Sequence, residues 1–507
     1  MAALVALLAL AAPAWAQVPA RPVVLTEAGA VAGSSELGVE VFRGLPYAAP
    51  PVGDLRWREP QPMPSWRGER DARLRANACM QKPGASLEGG GDPGPLSEDC
   101  LTLNVWTPAG AGTAKRPVMV WIHGGALVFG GGGVPLYDGA ALARRDVVVV
   151  TINYRLGALG FFAHPALGER SAMNFGLLDQ IAALQWVQRN IEAFGGDPAN
   201  VTLFGESAGA QSVLALYASP LARGLFARGI AQSAYGIPSH TREKARRAGI
   251  AVAAATGLAG ADASLAQLRA VAPERFFGLS DPATNLAPGF IVGDEALPRT
   301  ILETFQDKQQ APLPLVIGSN SDEATVATAF GLDPAKLIER LRAGRVLVKP
   351  LYPGVDDNDA LGRYLVRDLA FTAFARRIAY LQSKRAPTWR YYFSHVPETQ
   401  QAGATGLGHG GEIAFVLGTA DTCGCMPAPF TAVDHALAGQ TAAYWLAFAR
   451  RGDPNVAGAP TWPADSARRA RVMEFAAQPV VREGFMQRRL NVLIGLLKAA
   501  GGVLGPD

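Results

Sequence analysis

Ser207 lies in Gly205-Glu206-Ser207-Ala208-Gly209, with a glycine two residues away on either side. A serine hydroxyl is a weak nucleophile until a base takes its proton, so a reactive serine needs a turn that presents it and a base within reach. The glycines suit a sharp strand–turn–helix elbow, because a larger side chain at 205 or 209 would strike the opposite arm of the turn. The serine then sits at a helix N-terminus, whose dipole favours developing negative charge. The competing reading of these five residues is a packing turn with an inert serine. His123-Gly124-Gly125-Ala126 argues against that reading. Loops of this composition aim backbone N–H groups at an oxyanion, together with the N–H that follows the nucleophile. The donors would be the amides of Gly125, Ala126 and Ala208. Elbow and loop together describe acyl transfer through a covalent serine intermediate.

The base is sought among His123, His164, His240, His395, His409 and His435. With an elbow of this kind the chain order is serine, acid, histidine, which leaves the last four. His240 precedes any plausible acid strand, and His435 falls inside a helical pattern. His395 ends an aromatic run and is either packed or the base. His409 lies in Gly406-Leu407-Gly408-His409-Gly410-Gly411-Glu412, a glycine-rich loop that can carry an imidazole to another strand; position favours it, with His395 as the alternative. The acid is expected after the apolar run 315–318, in Ser319-Asn320-Ser321-Asp322-Glu323, where either Asp322 or Glu323 would orient an imidazole. Carboxylate chemistry alone does not separate them.

These side chains need a scaffold. Residues 117–123, 146–154, 201–205, 315–318 and 389–394 read as buried strands, apolar on both faces, as in a mainly parallel sheet covered on both sides. Helical patterns run over 174–194, 208–218 and 434–451, the first stopping at Gly195-Gly196 and the last at Gly452-Asp453-Pro454. Strands alternating with helices give an α/β fold with helices on both faces of a central, mostly parallel sheet. No repeat or long linker divides it. The glycines at 89–94 and 130–133 read as loops, the second as a plain flexible one.

Apolar residues make up 49 % of the chain and charged residues 18 %, enough for a large core and too apolar for a disordered chain. A net charge of +4, with its basic residues scattered, argues against a nucleic-acid surface. Residues 1–16 are apolar, too short to span a bilayer, and end in Ala14-Trp15-Ala16. They read as a signal peptide cleaved after Ala16, although no Lys or Arg precedes the apolar run. The expectation is a secreted or periplasmic protein, one domain over residues 17–507, a monomer or weak oligomer with no stable membrane span. Four cysteines, Cys79, Cys100, Cys423 and Cys425, favour disulfides in an exported chain. Cys423-Gly424-Cys425 stays open between a local bridge, free thiols and a metal site. Only His435 lies near it, at the margin, which argues against zinc.

Several further stretches carry a resemblance: Phe42-Arg43-Gly44-Leu45-Pro46-Tyr47-Ala48, Ser97-Glu98-Asp99-Cys100-Leu101, Trp121-Ile122-His123-Gly124-Gly125, Asn153-Tyr154-Arg155, Asn174-Phe175-Gly176, Phe194-Gly195-Gly196-Asp197-Pro198, the serine elbow and Gly452-Asp453-Pro454-Asn455. The chain resembles the type-B carboxylesterases, a cholinesterase-like family, in the style of bacterial para-nitrobenzyl esterases. The resemblance implies an α/β-hydrolase fold and a carboxylic ester hydrolase. It implies Ser207 as nucleophile, Glu323 as acid and His409 as base, neighbouring roles for Glu206 and Ser233, a disulfide between Cys79 and Cys100, and a structural salt bridge of Arg43 with Glu98. It implies neither metal nor organic cofactor, and a small-molecule ester as the partner. There are departures. No aromatic residue lies between Cys79 and Cys100, where cholinesterases carry a Trp that binds quaternary ammonium. Asp294-Glu295-Ala296-Leu297-Pro298 has Ala and Leu where those enzymes have bulky aromatics, which suggests a wider acyl pocket. Ala324 stands where the family usually has Gly after the acid. Specificity is expected from the loops around 84–95, 280–296 and 330–350. A carbamate or amide hydrolase with the same triad, and a non-catalytic binding protein, are the alternatives.

Overall fold

The computed structural model describes residues 21–499 apart from 85–90, 111, 113, 278, 280–282 and 467–469. The stretch expected to be a signal peptide, residues 1–16, lies outside the described residues, as do parts of the 84–95 and 280–296 loops. Eleven strands form the main sheet: β1 (Ser34–Glu36), β2 (Val39–Pro46), β3 (Thr102–Pro108), β4 (Arg116–Ile122), β5 (Val148–Ile152), β6 (Gly196–Glu206), β7 (Arg228–Gln232), β8 (Leu315–Asn320), β9 (Thr388–Phe393), β10 (Arg471–Phe475) and β11 (Pro479–Glu483). Their order across the sheet is β11-β10-β9-β8-β7-β6-β4-β5-β3-β2-β1. From β5 through β4 and β6 to β10 every neighbouring pair is parallel; β1, β2, β3 and β11 pair antiparallel at the two edges. The α/β architecture with a mostly parallel centre is therefore as the sequence pattern implies.

The strand alternation explains why these runs are apolar throughout. Val118, Val120 and Ile122 of β4 face one core, with Val148, Val150 and Ile152 of β5 and Leu315 and Ile317 of β8. Helices α1 (Phe175–Asn190), α2 (Ala208–Ala218) and α3 (Ala373–Gln382) cover that face. Met119 and Trp121, Val149, Phe204 and Val316 point the other way, under α4 (Ile413–Leu417) and α5 (Ala432–Arg451). Successive strand residues alternate faces, so a strand buried on both sides has no polar period. Helix ends follow local chemistry: Thr431 and Asp434 form a capping box at the start of α5, and Gly452 closes it at φ +73°. The expected helix over 174–194 is α-helical to Asn190 and then a tighter turn, Ile191–Phe194, ended by Gly195 at φ +77°.

Cys79 and Cys100 are disulfide-bonded, and so are Cys423 and Cys425, which closes the open alternatives for the second pair. One expectation fails. Arg43 does not meet Glu98. It lies on β2 and takes Glu36 of the neighbouring strand β1, Nη1 to Oε1 at 2.6 Å, whereas Glu98 is gripped by Arg56 through both carboxylate oxygens, at 2.7 and 2.6 Å. In the antiparallel β1–β2 pair Glu36 faces Val39, and its carboxylate, which also accepts from Ser34 Oγ at 2.8 Å, reaches along the ladder to Arg43; the turn at 53–56 delivers Arg56 to Glu98. Among the described residues no helix is long and apolar enough to cross a membrane.

Candidate active site

The elbow is built from β6 and α2. Ser207 joins them at φ +57° and ψ −121°, a conformation that costs a non-glycine residue about 1–3 kcal/mol and is found at functional sites. It is held there by its N–H, which donates to the Gln232 carbonyl on β7 at 2.9 Å. The flanking glycines are required by more than the opposite arm of the turn. A Cβ on Gly205 would stand 2.8 Å from the Gly209 carbonyl carbon and 2.6 Å from the Ile122 oxygen, and a Cβ on Gly209 would stand 1.9 Å from that same oxygen at the end of β4. Gly124 is equally confined: its Cβ would approach the Cβ of Ser207 to 3.1 Å. The serine is thus wedged between the ends of β4 and β7.

The loop after β4 takes three consecutive positive-φ residues, Gly125 at +97°, Ala126 at +52° and Leu127 at +63°. Successive left-handed residues turn their N–H groups to one side, a geometry suited to an anion. The Gly125 carbonyl fixes the return of the loop by accepting from Val128 and Phe129 at 2.9 and 3.1 Å. Ala208 opens α2, so its N–H has no intrahelical acceptor. His123 shapes this loop. Its ring stacks on Tyr154, 4.4 Å between centroids, its Nδ1 lies 2.8 Å from the Gly124 carbonyl, and burial pushes its pKa down to about 4, leaving it neutral. The expectation of a plain flexible loop at 130–133 is wrong. A Cβ on Gly130 would sit 2.5 Å from His123 Nδ1, one on Gly132 2.9 Å from the Ile152 oxygen, and the Gly132 N–H is bound to Asn153 Oδ1 at 2.7 Å. These glycines are packing positions.

The glycine-rich 406–412 loop brings His409 to the elbow. Its Nδ1 lies 2.5 Å from Glu323 Oε2, and its Nε2 lies 3.1 Å from Oε1 of Glu206, the residue before Ser207. Glu323 has no exposed surface, and its second oxygen accepts the Asn320 N–H at 2.6 Å. Asp322 turns away to Arg363 at 2.8 Å and to the Thr405 hydroxyl. Ala324 begins a short helix, Ala324–Ala329, at an ordinary φ, so the missing glycine is tolerated. His395 does not reach the elbow: its Nε2 is 2.6 Å from Asp434 Oδ1, beneath α5. His435 is half exposed near Asp421. Ser233 is buried at φ +54°, but its hydroxyl has no hydrogen-bond partner, so no hydrogen bond ties it to His409.

A buried network behind the histidine was missing from the sequence reading. Glu412 accepts from Asn320 Nδ2 at 2.5 Å and Gln232 Nε2 at 3.0 Å, and Trp445 donates to Gln232 at 3.0 Å. Burial raises the Glu412 carboxyl above its usual range against the opposing effect of those donors. The only sequence signal was its place three residues after His409. Ser207, Glu206, His409 and Gly125 line one cavity of about 500 Å³, whose other walls are Leu136, Tyr137 and, unexpectedly, residues from 396–404 and 425–427. A second cavity of about 610 Å³ meets it at Phe129 and is lined by Leu127, Phe162, Phe276, Leu286 and Phe330. Residues 284–287, Gly289 and Phe330, from the loops expected to set specificity, border this second one. Ala296 and Leu297 are buried and line neither cavity, so the wide acyl pocket is not formed by them.

Comparison with known proteins agrees with this architecture. The model of the Carboxylesterase family matches residues 20–347 and 357–493. The chain is 38 % identical to the fumonisin B1 esterase of Sphingopyxis macrogoltabida over 487 residues, 90 % of this chain and 87 % of that protein. It is 36 % identical to the para-nitrobenzyl esterase of Bacillus subtilis over 463 residues, 87 % and 92 % of the two chains. The solved carboxylesterase of Geobacillus stearothermophilus superposes with a TM-score of 0.81 at 34 % identity, covering 93 % of this chain and all of the other. An elbow serine, a paired histidine and a match over nearly the whole chain lead to one conclusion: this protein belongs to the carboxylesterase family, has the α/β-hydrolase fold and is a carboxylic ester hydrolase.

Proposed function

We propose that the protein hydrolyses esters through an acyl-enzyme on Ser207. The observation that carries this reading is His409 set between Glu323 and the elbow, 2.5 Å from the first and 3.1 Å from Glu206 beside the serine. In the mechanism, His409 takes the Ser207 proton as the serine attacks the ester carbonyl. Glu323 holds the ring and stabilises its charged form. The N–H groups of Gly125, Ala126 and Ala208 receive the oxyanion. The alcohol departs with a proton from His409, which then activates water to release the acid. Glu206 lies against the imidazole and favours its charged form. No metal enters any step. The protein acts as one catalytic domain over residues 17–507, exported after cleavage behind Ala16, and Gln17 at the N-terminus of the mature protein tests that assignment.

Ser207→Ala is expected to lower kcat by about 10⁴ or more while the thermal midpoint stays close to that of the wild type. A fluorophosphonate probe should add its mass to the Ser207 peptide in the wild type and to no peptide in the variant. Ester hydrolysis at near wild-type rate in Ser207→Ala would overturn the reading.

A further inference from the structure

Cys423 and Cys425 are bonded across a single residue in the loop that joins α4 to α5, with their Cα atoms 5.1 Å apart. Gly424 between them takes φ +61°, facing open space. The two ends of the bridge have different surroundings. Cys423 is 8 % exposed and belongs to the core cluster of Leu136, Phe415 and Phe430, with its N–H bound to the Thr419 carbonyl at 2.9 Å. Cys425 is half-buried at the edge of the same cluster, and with Met426 and Pro427 it lines the cavity that holds Glu206, Ser207 and His409. The bridge therefore ties a wall of that cavity to the core. The turn Glu398–Gln400, whose Gln400 lines the same cavity, is held separately by α5: the Glu398 N–H lies 3.3 Å from both Asp434 carboxylate oxygens, and Thr431 Oγ1 donates to Glu398 Oε2 at 2.6 Å.

We propose that the Cys423–Cys425 bridge is a positioning device for substrate: it holds Cys425, Met426 and Pro427 as a preformed wall that receives a bulky, largely apolar group of the ester. The inference rests on Ser207 being the nucleophile of this cavity. The apolar character follows from the facing walls, Leu136, Tyr137, Val396, Pro397 and Ile413. A preformed wall lowers the ordering cost of binding, whereas a wall that substrate must order weakens binding without touching the reacting atoms. Ser207, Glu323 and His409 are held by β6, β8 and the 406–412 loop, none of which the bridge crosses. The bridge is also the accessible one. Cys79 and Cys100 are 2 % and 1 % exposed, so a dithiol added to the folded protein meets Cys425 first. Dithiothreitol would supply two electrons; the S–S bond breaks, each sulfur takes a proton, and the reagent closes to its cyclic disulfide.

The test compares kcat and KM for a small ester, 4-nitrophenyl acetate, with those for esters enlarged in the acyl part or in the alcohol part. The proteins are the wild type, the wild type after dithiothreitol, the same sample reoxidised, the variant Cys423→Ala, and Ser207→Ala. Reduction, with alkylation and mass spectrometry of an aliquot to confirm free thiols at 423 and 425, and the Cys423→Ala variant, which opens the bridge and leaves the wall residue Cys425 in place, are both expected to raise KM for at least one bulky series about tenfold, leaving kcat and the small-ester KM within about twofold. Reoxidation should restore KM. An unchanged KM with both thiols free, or an equal loss of kcat for small and bulky esters, overturns the proposal. If Cys423→Ala does not fold, the reduced wild type decides alone. Activity surviving in Ser207→Ala would instead overturn the nucleophile assignment, whatever the bridge does.

Discussion

Asp322 and Glu323 carry the same charged group at adjacent positions, and the fold gives them different work. One Glu323 oxygen reaches His409 and the other takes a backbone N–H, with no exposed surface. Asp322 pairs with Arg363, which is one-fifth exposed. Glu323→Gln should lower kcat/KM by about 10³–10⁴ with little change in thermal midpoint, since the amide cannot stabilise a charged imidazole. Asp322→Asn should leave kcat within about threefold and cost roughly 2 kcal/mol of stability by leaving Arg363 with Asp359 as its remaining carboxylate. Ester kinetics and urea unfolding on the two variants check both halves, and a large kcat loss confined to Asp322→Asn would reverse the assignment. The choice was not legible in residue chemistry, because it depends on which side of the end of β8 each side chain leaves. Arg43 makes the same point: its partner was decided by strand pairing, and nothing in the local sequence distinguished Glu36 from Glu98.

At the scale of elements, the loop after β4 gives a pH prediction. Burial holds His123 neutral in the folded protein down to about pH 4, while an unfolded histidine takes up a proton near 6.5. Stability from this group is therefore complete above about 6.5 and is lost as pH falls towards 4, by up to roughly 3 kcal/mol. His123→Phe keeps a ring against Tyr154 and cannot titrate, so its unfolding free energy should fall less steeply than that of the wild type between pH 6.5 and 4 in chemical denaturation. Parallel slopes for the two proteins would refute it. The elements that carry this loop were legible because strands buried on both faces read as unbroken apolar runs. Their limits were not. β6 begins at Gly196, five residues before its apolar part, because Gly196 pairs with Arg116 across an irregular stretch containing Pro198. The edge strands β1 and β11 and the strand β10 beside the second are short and partly polar, and they left no pattern strong enough to read.

At the scale of the whole molecule, one buried ion pair links the sheet to the helix layer. Arg155, just beyond β5, meets Asp179 on α1 through two contacts of 2.8 and 2.7 Å, with side-chain exposures of 5 % and 0 %. Asp179→Asn leaves the guanidinium buried without its counter-charge and should cost about 3–5 kcal/mol in global unfolding, with residual kcat near normal in the molecules that fold. A variant as stable as the wild type would show the pair to be dispensable. The family motif Asn153-Tyr154-Arg155 marked one partner in the sequence; the other lies 24 residues on in an amphipathic run and was unreadable without the fold. The strained backbone at Ser207 has a consequence at this scale too. Glycine adopts φ +57° and ψ −121° without steric cost, so Ser207→Gly should melt above Ser207→Ala in calorimetry. A threonine there would add a second branch to a backbone already under strain. A change to glycine is then downhill in free energy while a change to threonine is uphill, so a lineage released from selection for hydrolysis would drift to a sturdier, silent glycine descendant more readily than to a new hydroxyl catalyst.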